Sequence, residues 1–271
     1  MPELPEVETI RRGILPLTGG KKVERLIVRV HALRYPLDGL KLACLRGQRL
    51  EDITRRGKYL LFHFSRGWLL LHLGMSGSLR YLPESRPPAA HDHFDIRFQD
   101  GSCLRLRDPR RFGLVLFLEQ DPFTHPLLKA FGPEPFSEEM NGAYLHRRSR
   151  GKRLPVKELL LDQKTVAGLG NIYVNEALFA AGIDPRKAAG SIGLSRYQRL
   201  AAAIREVLGR ALAAGGTTLR DFRDGVGNPG YFSVQLQVYG RAGMPCPRCG
   251  ASVVGERCHQ RSIYFCRRCQ K

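Results

Sequence analysis

Acidic residues are the first thing this chain is short of. Its 25 Asp and Glu stand against 44 Lys and Arg, a formal charge of +19 and a pI near 10.1. An imbalance of that size disfavours cationic partners and points to a polyanion, of which nucleic acid is the commonest. A soluble basic surface or an anionic membrane are the alternatives, but the basic residues run throughout the chain and are not gathered on one amphipathic helix. Long apolar runs are also missing: no stretch of about 18 uncharged apolar residues occurs, which argues against a membrane-spanning helix. The acidic start MPELPEVE lacks the basic and apolar regions of a secretory signal, so the expected compartment is the cytosol. Thiols stay reduced there, and the seven cysteines call for a reading other than disulfides. Internal repeats and low-complexity tracts are absent, which excludes a solenoid.

The 271 residues, 43% of them hydrophobic, suffice for two domains and a small appendage. Residues 23–118 alternate as strands do, in VERLIVRV, GKYLLFHF, GWLLLHL, HFDIRF and SCLRLR, and Asp100-Gly101 reads as a tight hairpin turn between the last two. Two antiparallel sheets packed as a sandwich are expected. FGPEPFSEE (131–139) marks a change of composition and a linker. From Gly142 to Ala214 the pattern is helical: LPVKELLLDQ and NIYVNEALFAAG are joined by KTVAGLG. A longer helix follows, with Ser195 as N-cap, a buried face of Leu200, Ile204, Val207, Leu208, Ala211 and Leu212, and an end at Gly215-Gly216. The fold class is therefore α+β, with a Cys-rich tail.

That tail carries CPRC at Cys246–Cys249 and CRRC at Cys266–Cys269, separated by 16 residues. Two such knuckles can each supply half of a tetrahedral zinc site, and four thiolates leave the metal no open position, so one structural Zn2+ is expected. A redox CxxC is the alternative. Residues 246–271 hold six Lys/Arg and one Glu, which suits a phosphate backbone. Cys44, Cys103 and Cys258 read as free thiols, Cys258 also as a substitute ligand without a partner knuckle.

The N-terminal PELPEVE admits two readings. Pro2 can start a helix whose dipole suits Glu3 and Glu6. Alternatively, removal of Met1 frees a secondary amine, and a helix start beside it disfavours the ammonium form, leaving a nucleophile. Together PELPEVE, RRGKYL (55–60), HLGMSG (72–77), DPRRFG (108–113), GLGNIYVNE (168–176) and the zinc tail resemble the formamidopyrimidine-DNA glycosylase family, over residues 2 to 271. The sister endonuclease VIII family shares the plan and prefers oxidised pyrimidines; PELPEVE and GNPGYF look like the former.

The resemblance implies an N-terminal β-sandwich (1–131), a helix-two-turns-helix domain (132–235) and a zinc finger (236–271). It implies a base-excision-repair enzyme that removes oxidised purines, 8-oxoguanine and formamidopyrimidines, and cuts the abasic site by β,δ-elimination through a Schiff base at Pro2. In that chemistry Glu3 protonates the sugar oxygen, Lys58 assists β-elimination, and Arg261 is linked to δ-elimination, although its very high pKa suits a phosphate clamp better. Met75, Arg110 and Phe112 would fill the gap left by a flipped nucleotide, Arg110 meeting the orphaned base; core packing is the other account of Met75 and Phe112. His91, Lys152 and Arg153 would lie near the DNA backbone, Asn171 at a helix N-terminus would meet phosphate, and Lys157 would lie near the lesion. The GLGN glycines also fit close helix packing, and His91 lacks the companions of a metal ligand. TTLRDFRDGVGNPGYF (217–232) would close over the flipped base, with Arg220 where some relatives carry lysine. The expected partner is damaged double-stranded DNA, bound by a monomer that sits on the bacterial nucleoid. A non-catalytic DNA-binding protein using the zinc ribbon alone is the rival from another class.

Overall fold

The computed structural model describes residues 1–216, 235–258 and 260–271. The chain divides into two compact units, the first built on Met1–Lys129, the second on Ala130–Ala213 with the C-terminal segment ending at Lys271.

The first unit opens with helix α1 (Leu4–Thr18), whose Val7, Ile10 and Ile14 recur at helical spacing and enter the core. Strand β1 (Val23–Val28) and the short α2 (Gly39–Ala43) follow. Next come β2 (Leu50–Arg56), β3 (Tyr59–Phe64), β4 (Gly67–His72), β5 (Ser78–Leu82), β6 (Asp92–Phe98), β7 (Cys103–Arg107), β8 (Leu114–Leu118) and the one-turn α3 (Pro126–Lys129). They form two antiparallel four-stranded sheets, ordered β1-β6-β7-β5 and β2-β3-β4-β8. Both sheets send residues into one core: Val23, Phe94, Ile96, Leu104 and Leu106 from the first, Ile53, Leu60, Phe62, Leu69 and Leu71 from the second. Each such side chain contributes about 1.5–3 kcal/mol on burial. This is the expected sandwich.

Three strands escaped the alternation argument. In β2, LEDITRR, only Leu50 and Ile53 are buried and the rest is polar, as befits an edge strand. β5 and β8 are edge strands as well. The Asp100-Gly101 hairpin is present but not as a two-residue turn: residues 99–102 connect β6 to β7, with Gly101 at φ +87°. That is the longer, glycine-terminated form of connection. The β2–β3 connection is the two-residue one, Gly57-Lys58, with Gly57 at φ +57° as a type II′ turn requires at its first central position.

The second unit is helical: α4 (Gly142–Ser149), α5 (Val156–Leu161), α6 (Asn171–Ala181) and α7 (Leu194–Ala213). α6 is buried from Ile172 through Phe179, so its apolar residues surround the axis instead of forming a stripe. It ends on Gly182 at φ +69°, the left-handed cap glycine tolerates best. α7 buries Leu200, Ile204, Val207, Leu208 and Ala211 as expected, with Leu212 only half-buried, but starts two residues early. The Gly193 carbonyl accepts from Arg196 and Tyr197 N–H, and Ser195 lies inside the first turn and is not its cap. The unit closes with a two-stranded hairpin, β9 (Val254–Cys258) and β10 (Arg261–Phe265), which pairs Arg261 with Cys258 near its tip.

Candidate active site and nucleic-acid interface

Helix α1 does not need Pro2 to start. Its N-cap is Glu3, Pro5 occupies the first turn, and a capping box closes the end: the Glu6 carboxylate accepts the Glu3 N–H at 2.8 Å. Pro2 thus precedes the cap, half-buried, with Met1 exposed in front of it, while Glu3 and Glu6 are buried. Further along the helix Glu8 binds Arg11, Arg12 and, from β2, Arg55. Burial alone would raise the Glu8 carboxyl, yet the arginines hold it down at about 2.

Lys58 follows the Gly57 turn and is buried, 7% exposed. Its charge reaches His72 at the end of β4. Burial, with Lys58 and Arg34 nearby, pushes the His72 imidazole down to about 4, so the ring is neutral near pH 7. Neutral His72 accepts the Gly74 N–H on Nδ1 at 2.9 Å and packs 4.6 Å from the Tyr59 ring. The sequence signal for His72 is a histidine that ends an apolar strand two residues before a glycine, in HLGMSG.

Met75 and Phe112 are exposed at 44% and 45%, on the loops after β4 and β7. The core-packing account of both therefore fails. The Arg110 guanidinium lies 4.8 Å from the Phe112 ring centroid, a cation–π pair. Both loops sit in the same unit and their backbones touch: a Cβ on Gly74 would come within 2.4 Å of the Phe112 carbonyl carbon. His91 is exposed at the start of β6, in the left-handed region at φ +71°.

In the second unit, Lys157 is 1% exposed and donates from Nζ to the Ser262 carbonyl at 2.6 Å; Asn171 donates from Nδ2 to the same oxygen at 3.1 Å. The two residues thereby anchor the hairpin whose neighbouring Arg261 is exposed. Asn175 accepts the Tyr264 N–H, 2.8 Å away. Glu176, buried in α6, accepts three consecutive N–H groups, from Gln237, Val238 and Tyr239, at 2.8–2.9 Å. Burial raises its carboxyl, and the three donors oppose that rise. Two polar side chains in a helix apolar all round were the sequence signal for this anchor. Lys152 is half-buried and Arg153 exposed beyond α4. The segment 217–232 with Arg220 lies outside the described residues.

Cys246, Cys249, Cys266 and Cys269 converge, their sulfurs all within 4.8 Å of one another. Pairs stand 3.9 Å (Cys246–Cys269) and 3.5 Å (Cys249–Cys266) apart. A tetrahedral Zn2+ with bonds of about 2.3 Å sets its sulfurs about 3.8 Å apart, so the four thiols fit the ion. Gln270 ties the second knuckle, accepting the Cys266 N–H and donating to the Ile183 carbonyl, both at 2.8 Å. Cys103 is a different thiol: burial beside Asp95 lifts it to about 12, which leaves it protonated and inert.

A sandwich headed by a capped helix, then a helical unit ending in a four-thiol hairpin, defines a metal-stabilised protein of two units. Residues 1–115 match the formamidopyrimidine-DNA glycosylase N-terminal domain, and 131–223 match the formamidopyrimidine-DNA glycosylase H2TH domain. The chain is 55% identical to the formamidopyrimidine-DNA glycosylase of Syntrophotalea carbinolica and 53% identical to that of Alkalilimnicola ehrlichii, each over the whole of both chains. Among solved structures, MutM (Fpg) of Thermus thermophilus superposes with a TM-score of 0.89 at 40% identity, covering 99% of this chain and 98% of that one. A Lactococcus lactis Fpg variant bound to DNA containing Fapy-dG gives 0.92 at 35% identity, with full coverage of both. The chain belongs to the formamidopyrimidine-DNA glycosylase family. Among the described residues no helix is long and apolar enough to cross a membrane.

Proposed function

We propose that this chain is a base-excision-repair glycosylase that removes oxidised purines, 8-oxoguanine and formamidopyrimidines, from double-stranded DNA and then cleaves the strand. The carrying observation is Pro2, which stands ahead of a helix already capped by Glu3 and already supplied with Pro5. Its nitrogen is therefore spared for chemistry once Met1 is removed. Full-length family likeness and solved relatives in complex with lesion-bearing DNA support the substrate class.

The Pro2 amine attacks C1′, the bond from C1′ to the base breaks, and the base leaves with a proton. Glu3, the adjacent buried carboxyl, delivers a proton to the sugar ring oxygen as the ring opens to an iminium. That cation acidifies C2′–H; loss of the proton expels the 3′ phosphate, with Lys58 assisting. A second elimination expels the 5′ phosphate, with Arg261 clamping the backbone. Met75, Arg110 and Phe112 occupy the space of the extruded nucleotide, while His91, Lys152, Arg153 and Asn171 meet phosphates. Lys157 acts through the hairpin it anchors, by its bond to the Ser262 carbonyl. Zinc, held by Cys246, Cys249, Cys266 and Cys269, supplies no reactive position and keeps the hairpin folded. The chain works as a monomer, in three parts at 1–131, 132–235 and 236–271.

The test is incision of duplexes carrying 8-oxoguanine opposite cytosine or thymine glycol opposite adenine. The expected result is preferential cutting of the first, leaving phosphate at both ends of a one-nucleotide gap. Binding without incision of either duplex would overturn the enzymatic reading, and preference for the second would overturn the substrate class.

A further inference from the structure

Asp108 has no exposed surface, yet it lies at the centre of the corner that carries the gap-filling side chains. Its carboxyl reaches both loops: Oδ2 accepts the buried Gly113 N–H at 2.7 Å, and Oδ1 accepts the Ser76 hydroxyl at 3.4 Å. Its backbone N–H donates to the His91 carbonyl at 3.0 Å, and its own carbonyl accepts the Arg111 N–H at 3.2 Å. One residue thus holds the immediate neighbours of Met75, Arg110 and Phe112, and His91 itself.

The surroundings leave the loops no slack. A Cβ on Gly113 would stand 2.9 Å from Asp108 Oδ2, and one on Gly74, at φ +65°, would strike the Phe112–Gly113 backbone. Gly74 N–H is held by His72, and the Gly113 carbonyl accepts the Arg34 N–H at 2.9 Å.

We propose that Asp108 is a positioning residue that locks Met75, Arg110 and Phe112 into one preformed wedge, so that extrusion of the lesion and reading of the opposite base occur as a single event. The proposal rests on the reading of those three residues as gap fillers. Its physical basis is preorganisation: ordering a free loop costs conformational entropy, a cost that falls on the flipping step unless it is already met in the fold. What the corner needs is a planar group with an acceptor, not a charge. An asparagine would accept from Gly113 with its oxygen and donate to Ser76 Oγ with its amide; an alanine leaves the Gly113 N–H buried and unpartnered.

The experiment compares wild type, Asp108→Ala, Asp108→Asn and Met75→Ala on duplexes with 8-oxoguanine opposite cytosine or adenine and 2-aminopurine beside the lesion to report unstacking. Folding of each is checked by circular dichroism. For Asp108→Ala the expected result is about tenfold slower unstacking and excision, the effect of about 1.4 kcal/mol from an unsatisfied buried donor. The cytosine-over-adenine preference contracts with it, and strand cleavage at a preformed abasic site changes by less than about threefold, because no base remains to be extruded. Asp108→Asn stays within about twofold of wild type, since its hydrogen bonds survive. Wild-type unstacking in Asp108→Ala alongside impaired Met75→Ala would overturn the role of Asp108 alone. An equal loss at every step, or an Asn variant as poor as the Ala one, would also overturn it. An indifferent Met75→Ala would instead overturn the gap-filling reading beneath it.

Discussion

The Met75–Phe112 corner of the first unit and the thiol hairpin of the second both present exposed side chains, and they are held by opposite means. The corner at residues 73–77 and 108–113 is fixed by one buried carboxyl and by glycine backbones in contact. The hairpin at residues 254–265 has a small core of Phe179, Val238, Cys246, Val253 and Cys266 and relies on four ligands and on Glu176, Lys157, Asn171 and Asn175. A large apolar sandwich can fix its loops with a few hydrogen bonds and close backbone contact. A module of some thirty residues needs a metal, because its core is too small to do so alone.

The sharpest way to break that symmetry is to remove the zinc. Structural zinc contributes about 10–16 kcal/mol in small finger peptides, so chelation or Cys246→Ser should unfold the hairpin and abolish tight DNA binding. The sandwich should keep its far-ultraviolet signature, checked by circular dichroism and by hydrogen exchange resolved along the chain. Simultaneous loss of protection in residues 50–118 would show that the two regions are not independently held.

Next in size is Glu176→Ala, which strands three N–H donors at once. About 3 kcal/mol or more should be lost from the second unit, read as a lower urea midpoint for that unit. Lys157→Met should follow the same direction with a smaller loss, since it removes one donor from Ser262.

Salt should weaken binding in both regions together, through release of counterions from the phosphates. With three cationic phosphate contacts, Lys152, Arg153 and Arg261, the slope of log K against log salt is expected to be about −3. A nearly flat line would separate the +19 charge from DNA recognition.

A further contrast is the pH dependence of the first unit. His72, lowered from 6.5 to about 4, is neutral when folded and protonates first in the unfolded chain, so stability falls as pH drops from 6.5 towards 4. Glu8, lowered from 4.5 to about 2, adds a second loss between those values. Thermal melts of His72→Gln and Glu8→Gln should each flatten the corresponding part of the profile.

Much of this was legible in the sequence, and the reasons are local. The central strand β3 stood out as the near-continuous apolar run YLLFHF, because both of its faces are packed. The edge strand β2 was missed because five of the seven residues in LEDITRR are polar, a pattern an edge tolerates. The zinc site was readable because each knuckle is a four-residue unit. The Asp108 corner was not: its two side-chain partners lie 32 and 5 residues away, and only the sheet brings them together. Glu176 was hidden likewise, with partners more than sixty residues downstream. Pro2 reads from the sequence as a helix starter or as an amine; the helix starts at Leu4 with Pro5 in its first turn, so it does not use Pro2 as its starting proline.

Borohydride trapping on an 8-oxoguanine duplex, followed by mass mapping of the DNA-linked residue in the mature chain, tests the role of the Pro2 nitrogen most directly. The account predicts a covalent adduct through residue 2 of a chain lacking Met1. An equal yield of adduct from Pro2→Gly protein with its terminal amine blocked, or an adduct mapped to Lys58, would contradict it.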